Sequence, residues 1–207
     1  MASLYDRFVL PHLLKAACSS SPIMRQRKKI VPRATGRVLE LGVGMGLNLA
    51  FYDPDAVTTV VGVDPSPELR TIAQAAPRDP RLNLDIQDGD AEALPFEAAS
   101  FDTVVCTFTL CSVCTPAKAL SEARRVLKPG GRLLYCEHGL APDAGVAKWQ
   151  RRIEPIWKSI AGGCHLTRPI GGAIAEAGFK LAETDSMYVP KTPKIAAWNE
   201  WGVATPA

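Results

Sequence analysis

The 207-residue sequence has no marked excess of either charge. It carries 24 Lys and Arg against 21 Asp and Glu, a formal net charge of +3. A chain so balanced exerts no sustained attraction on phosphate, which excludes a nucleic-acid binder driven by bulk charge. Six cysteines are too sparse for a disulfide scaffold, and a domain of this size needs none. No stretch reaches the roughly 18 to 20 consecutive apolar residues that cross a bilayer. No secretory leader is expected, because Phe8 to Lys15 is broken by Pro11, His12 and Lys15 and no basic segment precedes it. With 47% hydrophobic and 22% charged residues, the composition is that of one folded globular domain rather than a disordered chain. A reduced, cytoplasmic protein is expected.

From about residue 36 the chain alternates strand-like and helix-like segments. Arg37 to Leu41 reads as a short buried strand ending in a glycine-rich turn, and Gly46 to Tyr52 as the opening of a helix stopped by Asp53-Pro54. Thr58 to Val63 is a second strand, followed by Ser66-Pro67-Glu68 as a helix start with Ser66 as N-cap and an end near Pro77. Leu82 to Ile86 alternates with period two. Phe101 to Phe108 and Arg132 to Glu137 are further strands, with a helix over Pro116 to Leu127 between them. Beyond residue 140 come helices over Gly145 to Ile160 and Pro169 to Gly178, a strand over Phe179 to Glu183, and a last strand near Ile195 to Trp201. This order predicts βαβ units and a largely parallel sheet over 36–207. Residues 1–35 read as a helical N-terminal cap or lid, with Ser21-Pro22 opening the basic Arg25 to Arg33 helix.

The strongest chemical signal is Glu40-Leu41-Gly42-Val43-Gly44-Met45-Gly46 at a strand-to-helix junction. Glycines permit a tight turn and a close backbone approach to a ligand, and a following helix N-terminus offers free N–H groups. Asp64 ends the second strand, where a carboxylate is placed to accept from ribose hydroxyls. A dinucleotide fingerprint wants Gly or Ala at position 47, where Leu47 stands, and no Gly-Lys-Ser/Thr follows for a phosphate-loop ATPase.

The pattern G-x-G-x-G preceded by an acid resembles motif I of the class I S-adenosylmethionine-dependent methyltransferases. Asp90-Ala91, Phe101 to Val105 and Leu127 to Arg132 match that family's later motifs in order and spacing. Cys106 to Val113, Glu137-His138 and Gly163 to Arg168 further resemble the alkyl-thiol methyltransferases of animals and their soluble bacterial relatives. The resemblance covers roughly residues 36 to 180. It implies a Rossmann-like α/β fold with seven strands, the last antiparallel, and S-adenosylmethionine as donor, leaving S-adenosylhomocysteine, with no metal. It also implies cofactor contacts from Glu40, Gly42, Gly44, Gly46, Asn48, Asp64, Pro65, Ser66, Asp90, Ala91 and Thr107, the Asp90 carboxylate receiving the adenine amino group. The animal proteins carry an N-terminal membrane segment that this sequence does not repeat, and His165 stands where the family places an amide.

Cys111 and Cys114 form a CxxC just past the fourth strand. The pair reads first as small apolar packing residues, then as acceptor lining, and last as a metal or redox site, since a zinc site would need Cys136 or Cys164-His165 to complete it. His138, at the end of the fifth strand, is the candidate general base, because imidazole titrates near neutral pH. His165, in a glycine-rich loop, is the second catalytic candidate, and His12 reads as a surface or lid residue. Leu110, Cys111, Trp149 and Trp157 are the candidate acceptor-binding residues; the tryptophans anchor the insert or wall a pocket for a cationic centre. Arg25, Arg27, Lys28 and Lys29 read as a solvated helix face, with contact to anionic lipid headgroups as the alternative.

The expected activity is therefore methylation of a small-molecule acceptor. A small thiol such as hydrogen sulfide or methanethiol is favoured, because thiols ionise near neutral pH without a strong protein base. Phosphatidylethanolamine, a quinone or other aromatic metabolite, and a non-catalytic cofactor- or metalloid-binding role through Cys111 and Cys114 are the alternatives. Nothing in the sequence specifies an oligomeric state.

Overall fold

The computed structural model describes residues 16–207. His12 and the first part of the expected cap lie outside the described residues. The first helix, α1, spans Ser21–Ile30. The alternating core follows as β1 (Gly36–Leu41), β2 (Val57–Val63), α2 (Pro67–Gln74), β3 (Leu84–Gln87), β4 (Phe101–Thr107), α3 (Pro116–Val126) and β5 (Leu127–His138). The last part comprises α4 (Ala144–Ile160), α5 (Ile170–Glu176), β6 (Phe179–Tyr188), α6 (Lys194–Ala197) and β7 (Trp198–Pro206).

Seven strands form one sheet in the order β3-β2-β1-β4-β5-β7-β6. The first five pair in parallel, and β7 runs antiparallel to both β5 and β6. This is the largely parallel sheet that the alternating segments predict, with the antiparallel last strand that the family resemblance implies. The inner strands are buried on both faces, so β1, β2 and β4 carry almost unbroken apolar runs at their carboxyl ends. Leu39, Val61, Phe101, Val104 and Leu133 meet Leu120 of α3 and Ile174 of α5 on one face. Val38, Val60, Val105 and Leu134 meet Ile30 and Leu49 on the other.

The chain leaves β1 toward β2 and β3 but leaves β4 toward β5, so the strand order reverses between β1 and β4. Loops after these two strands diverge to opposite sides, and the crevice outside their carboxyl ends is where open α/β sheets bind ligands.

Several local expectations are corrected. Residues 46–52 form no α-helix; they fold as tight turns and a single 3-10 turn over Leu49–Phe51. The segment is too short to offset helix nucleation before Asp53-Pro54 stops it, and Asn48 and Tyr52 are held by their side chains instead. The glycine turn therefore offers its own backbone N–H groups rather than those of a helix end. At the N-terminus, Ser20 rather than Ser21 is the capping position and makes no side-chain cap, whereas Ser66 caps α2 through Leu69 N at 3.2 Å as expected. The last strand begins at Trp198 because Pro193 starts the short helix α6 across Ile195.

Candidate active site

Two buried carboxylates organise the crevice. Glu40, at the end of β1, accepts from Asn48 Nδ2 at 2.9 Å and from Tyr52 OH at 2.6 Å. Asn48 Nδ2 also donates to Thr107 Oγ1 at 2.9 Å, which ties the glycine turn of β1 to the end of β4 across the switch point. Arg27 of α1 completes this network, its Nη1 donating to Asn48 Oδ1 at 3.0 Å and Thr107 Oγ1 at 2.6 Å. Its guanidinium also lies 4.8 Å from the Phe108 ring centroid. Burial raises the Glu40 carboxyl to about 7, against the opposing pull of Tyr52, Arg27 and Asn48.

Glycine is required in the turn itself. Gly42 has φ +64, and a Cβ there would stand 2.6 Å from Thr109 Oγ1; Gly46 has φ +73, and its Cβ would stand 2.8 Å from Ala76 Cβ. A Cβ on Gly44 would meet only Gly42 O, at an ordinary contact distance of 3.8 Å, so the fold itself leaves room at this position. Gly44 N donates to Asp64 Oδ2 at 3.0 Å, and Ser66 N to Asp64 Oδ1 at 2.9 Å. The β2 carboxylate is thus fixed beside the turn, with lone pairs to spare for a diol. Pro65 lies between these two anchors. Asp90 is exposed and turns the chain onto Ala93 N, and Ala91 beside it is buried. An open backbone at Gly44, a fixed carboxylate at Asp64 and an exposed one at Asp90 are a donor and acceptor set that fits a nucleoside-bearing cofactor.

Glu137, at the end of β5, has no exposed surface. Its Oε1 accepts from Thr109 N at 2.7 Å and Leu110 N at 3.1 Å, and its Oε2 from Cys111 N at 3.4 Å. Phe108 enters this loop at φ +54, an uncommon conformation for a bulky side chain. Burial raises the Glu137 carboxyl to about 8, the negative charge of Cys111 adds to this, and the loop amides oppose it. The Arg168 guanidinium clamps the same loop, donating to Leu110 O and to Val113 O.

Beside that loop, His138 Nε2 lies 2.7 Å from Cys164 Sγ, and Cys111, His138 and Cys164 place their donor atoms within 4.8 Å of one another. A hydrogen bond from Cys164 holds the Cys111 thiol well below its ordinary range, against burial and with help from His138. The Cys164 thiol is correspondingly raised, first by that hydrogen bond and then by burial. Burial pulls the His138 imidazole down, but the charge and hydrogen bond of Cys111 outweigh it and the net value is raised. Trp157 faces Cys164 from α4, and Leu110 is buried behind the cluster.

The structure thus brings together Leu110, Cys111, His138 and Trp157. It sets Trp149 apart: that ring is 54% exposed on the outer face of α4, with Arg152 5.5 Å from its centroid. Eight helical residues turn through about 800°, so the two tryptophans sit roughly 80° apart and not on one line. His165 spends Nδ1 on Glu154 Oε1 at 2.7 Å and its N–H on Cys111 O at 2.8 Å, tying the loop to α4. Cys114 is exposed and separate from the cluster. The solvated-face reading of Arg27 is overturned, since only 6% of it is exposed. Its signal was present: Ile23, Arg27 and Ile30 share the i, i+4, i+7 stripe that buries a helix. Cys164 gave no such signal, because only the fold brings it to Cys111.

Residues 39–135 match the family model of a methyltransferase domain. A thiol S-methyltransferase of Rattus norvegicus is 42% identical over 152 residues, which make up 72% of this chain and 62% of that protein. A phosphatidylethanolamine N-methyltransferase of Cereibacter sphaeroides is 33% identical over 157 residues, 72% of this chain and 75% of that protein. A solved structure from Thermotoga maritima, described as a possible histamine N-methyltransferase, shares the fold with a TM-score of 0.69 over 98% of each chain at 22% identity. The chain spans less than two thirds of the rat relative's length.

Two outcomes follow from the geometry. Gly44→Ala is expected to cost about 1 to 2 kcal/mol, the strain of a left-handed L-residue, and to weaken binding of S-adenosylmethionine by calorimetry. Gly46→Ala adds a steric clash and is expected to unfold at lower denaturant than Gly44→Ala. For Glu40, the folded carboxyl at about 7 lies above its unfolded value, so the folded state binds the extra proton and loses stability as pH rises through that window. The stability of Glu40→Gln relative to wild type should therefore rise from about pH 4.5 to about pH 7 and stay level above; a difference independent of pH would show that Glu40 is ionised throughout.

Proposed function

Because the chain belongs to the methyltransferase family, in the class I branch that uses S-adenosylmethionine, we propose that it methylates the sulfur of a small thiol. The observation that carries this reading is the composition of the acceptor wall: two thiols, an imidazole and the Trp157 ring, with the nearby ions already engaged. Glu137 is spent on three loop amides, Arg168 on two carbonyls and Glu154 on His165. Of these groups only Glu154 Oε2 is buried without a hydrogen-bond partner, and that carboxylate is already held to His165 through Oε1. The 42% identity to a thiol S-methyltransferase supports the same choice.

Bound S-adenosylmethionine supplies a methyl group already activated by its sulfonium charge. The glycine turn, Asp64, Asp90-Ala91 and Thr107 hold and orient that donor, and Glu40 and Asn48 fix the turn from behind. α1 acts as a cap, its Arg27 reaching the switch point between β1 and β4. The wall after β4 and β5 aligns the acceptor sulfur, which is the main demand of an in-line transfer. His138 accepts the thiol's proton through Nε2, the nitrogen that faces Cys164 when no acceptor is present. His165 holds the loop to α4 rather than touching the acceptor. The reaction is placed in the reducing cytoplasm, in keeping with six cysteines that are all free.

A second reading, transfer to a lipid headgroup, is supported by α4. Trp149, Ile156 and Ile160 are exposed on that helix, flanked by Lys148, Arg151, Arg152 and Lys158, the pattern of a helix lying at an anionic membrane surface. Among the described residues no helix is long and apolar enough to cross a membrane.

The deciding assay follows formation of S-adenosylhomocysteine with sulfide, methanethiol, a longer thiol, phosphatidylethanolamine vesicles and a quinol. Turnover with the small thiols is expected; turnover only with vesicles or quinol would replace the acceptor and keep the donor site. His138→Ala should lower kcat with methanethiol by about 10²-fold, and Trp149→Ala should leave it unchanged. Sedimentation with anionic vesicles tests the lipid reading, which fails if the protein stays in the supernatant.

A further inference from the structure

We propose that Cys111, His138 and Cys164 form a binding site for a thiophilic divalent cation, with zinc as the probe. The three residues come from three separate elements: the loop after β4, the end of β5 and the loop between α4 and α5. Their Sγ, Nε2 and Sγ atoms lie within 4.8 Å of one another. In a tetrahedral zinc centre, ligand atoms stand roughly 3.3 to 3.9 Å apart, given bonds of about 2.0 to 2.3 Å. The cluster reaches that spacing by side-chain rotation, with the His138–Cys164 pair opening from 2.7 Å.

The donor set selects the ion. Two thiolates and a neutral imidazole are soft and borderline ligands, which take zinc in preference to calcium or magnesium. Two thiolate charges also cancel the charge of the cation, so the complete centre is neutral, as a site with little water requires. His138 Nδ1 is buried without a hydrogen-bond partner. A proton on that nitrogen leaves the Nε2 lone pair directed at the two sulfurs, the neutral form in which imidazole binds a metal.

The surroundings hold these ligands as outer-shell groups do in metal centres. Glu137 fixes Cys111 through its backbone N–H, and His165 N fixes the Cys111 carbonyl. Arg168 clamps the carbonyls on either side of Cys111, at Leu110 and Val113. Among the described residues no fourth Cys, His, Asp or Glu joins the set. Three protein ligands with one position free is the arrangement of an open centre rather than a closed structural one. The free position takes water or an acceptor thiolate; only this last clause rests on the thiol reading above. A cation there also replaces the proton that His138 would otherwise carry, so the metal-bound and proton-accepting forms are alternatives of one cluster.

The test uses the full chain, stripped with a chelator and transferred to chelator-free buffer, without S-adenosylmethionine or acceptor. One equivalent of cobalt(II) should produce a thiolate-to-cobalt charge-transfer band, which one equivalent of zinc(II) abolishes. Zinc should also raise the melting temperature of the wild type, as a ligand specific to the folded state does. Cys164→Ser and Cys111→Ser should each weaken zinc binding by about tenfold or more, while Cys114→Ser binds as wild type does. Absence of the band in wild type overturns the site, whatever the variants do. So does a band that forms in Cys164→Ser with the affinity and intensity of the wild type, or one that is lost in Cys114→Ser. Methanethiol added to the cobalt-loaded protein should shift the band; an unchanged spectrum removes the acceptor clause and leaves the metal site standing. Failure of the thiol reading is seen separately, in the methyl-transfer assay.

Discussion

Glu137 is a carboxylate with no exposed surface, and the crevice depends on how it is satisfied. A buried carboxylate left without donors is strongly unfavourable, so the chain after β4 turns back to supply the N–H groups of Thr109, Leu110 and Cys111. That turn forces Phe108 into the left-handed region and brings the Cys111 sulfur beside His138. Glu40 imposes the same demand two strands away, where Asn48 and Tyr52 answer it and so shape the glycine turn. The two loops of the crevice are thus folded around acids that occupy the carboxyl ends of β1 and β5.

In this chain the acid before the glycines and the turn they form are one unit. The glycines allow the turn, but they do not choose its shape. The choice comes from Glu40 through Asn48, and Thr107 on the neighbouring strand accepts from the same amide. Asn48 therefore acts on the crevice through the turn it holds.

The architecture was largely legible from residue types. Parallel strands buried on both faces read as apolar runs, and Ser66-Pro67 opens α2 as local chemistry predicts, whereas β5 begins at Leu127 and runs through Lys128-Pro129-Gly130-Gly131 instead of starting at Arg132. The expected helix after Gly46 was not found, because tertiary hydrogen bonds from Asn48 and Tyr52 override a local pattern only seven residues long. Residues next to a motif, such as Asp64 and His138, could be placed at the crevice from position alone. Arg27 and Cys164 could not be named this way, because their partners are 80 residues away at Thr107 and 26 away at His138. The stripe of Ile23, Arg27 and Ile30 marks Arg27 as buried without naming its partners, and for Cys164 local spacing holds no signal at all. Of the two tryptophans named as acceptor-binding, only Trp157 reaches the cluster, because eight residues exceed two turns and Trp149 is carried to the exposed side of α4.

The hydrogen bonds of Arg27 also bear on where the catalytic unit begins. By sheet geometry the domain starts at Gly36, and a truncation or fusion designed on the strands alone would cut there. Such a cut removes the guanidinium that Asn48 and Thr107 share, and leaves both facing an empty socket beside Glu40. The boundary that preserves the unit lies ahead of Ser21, so any partner fused at the N-terminus should be joined before α1.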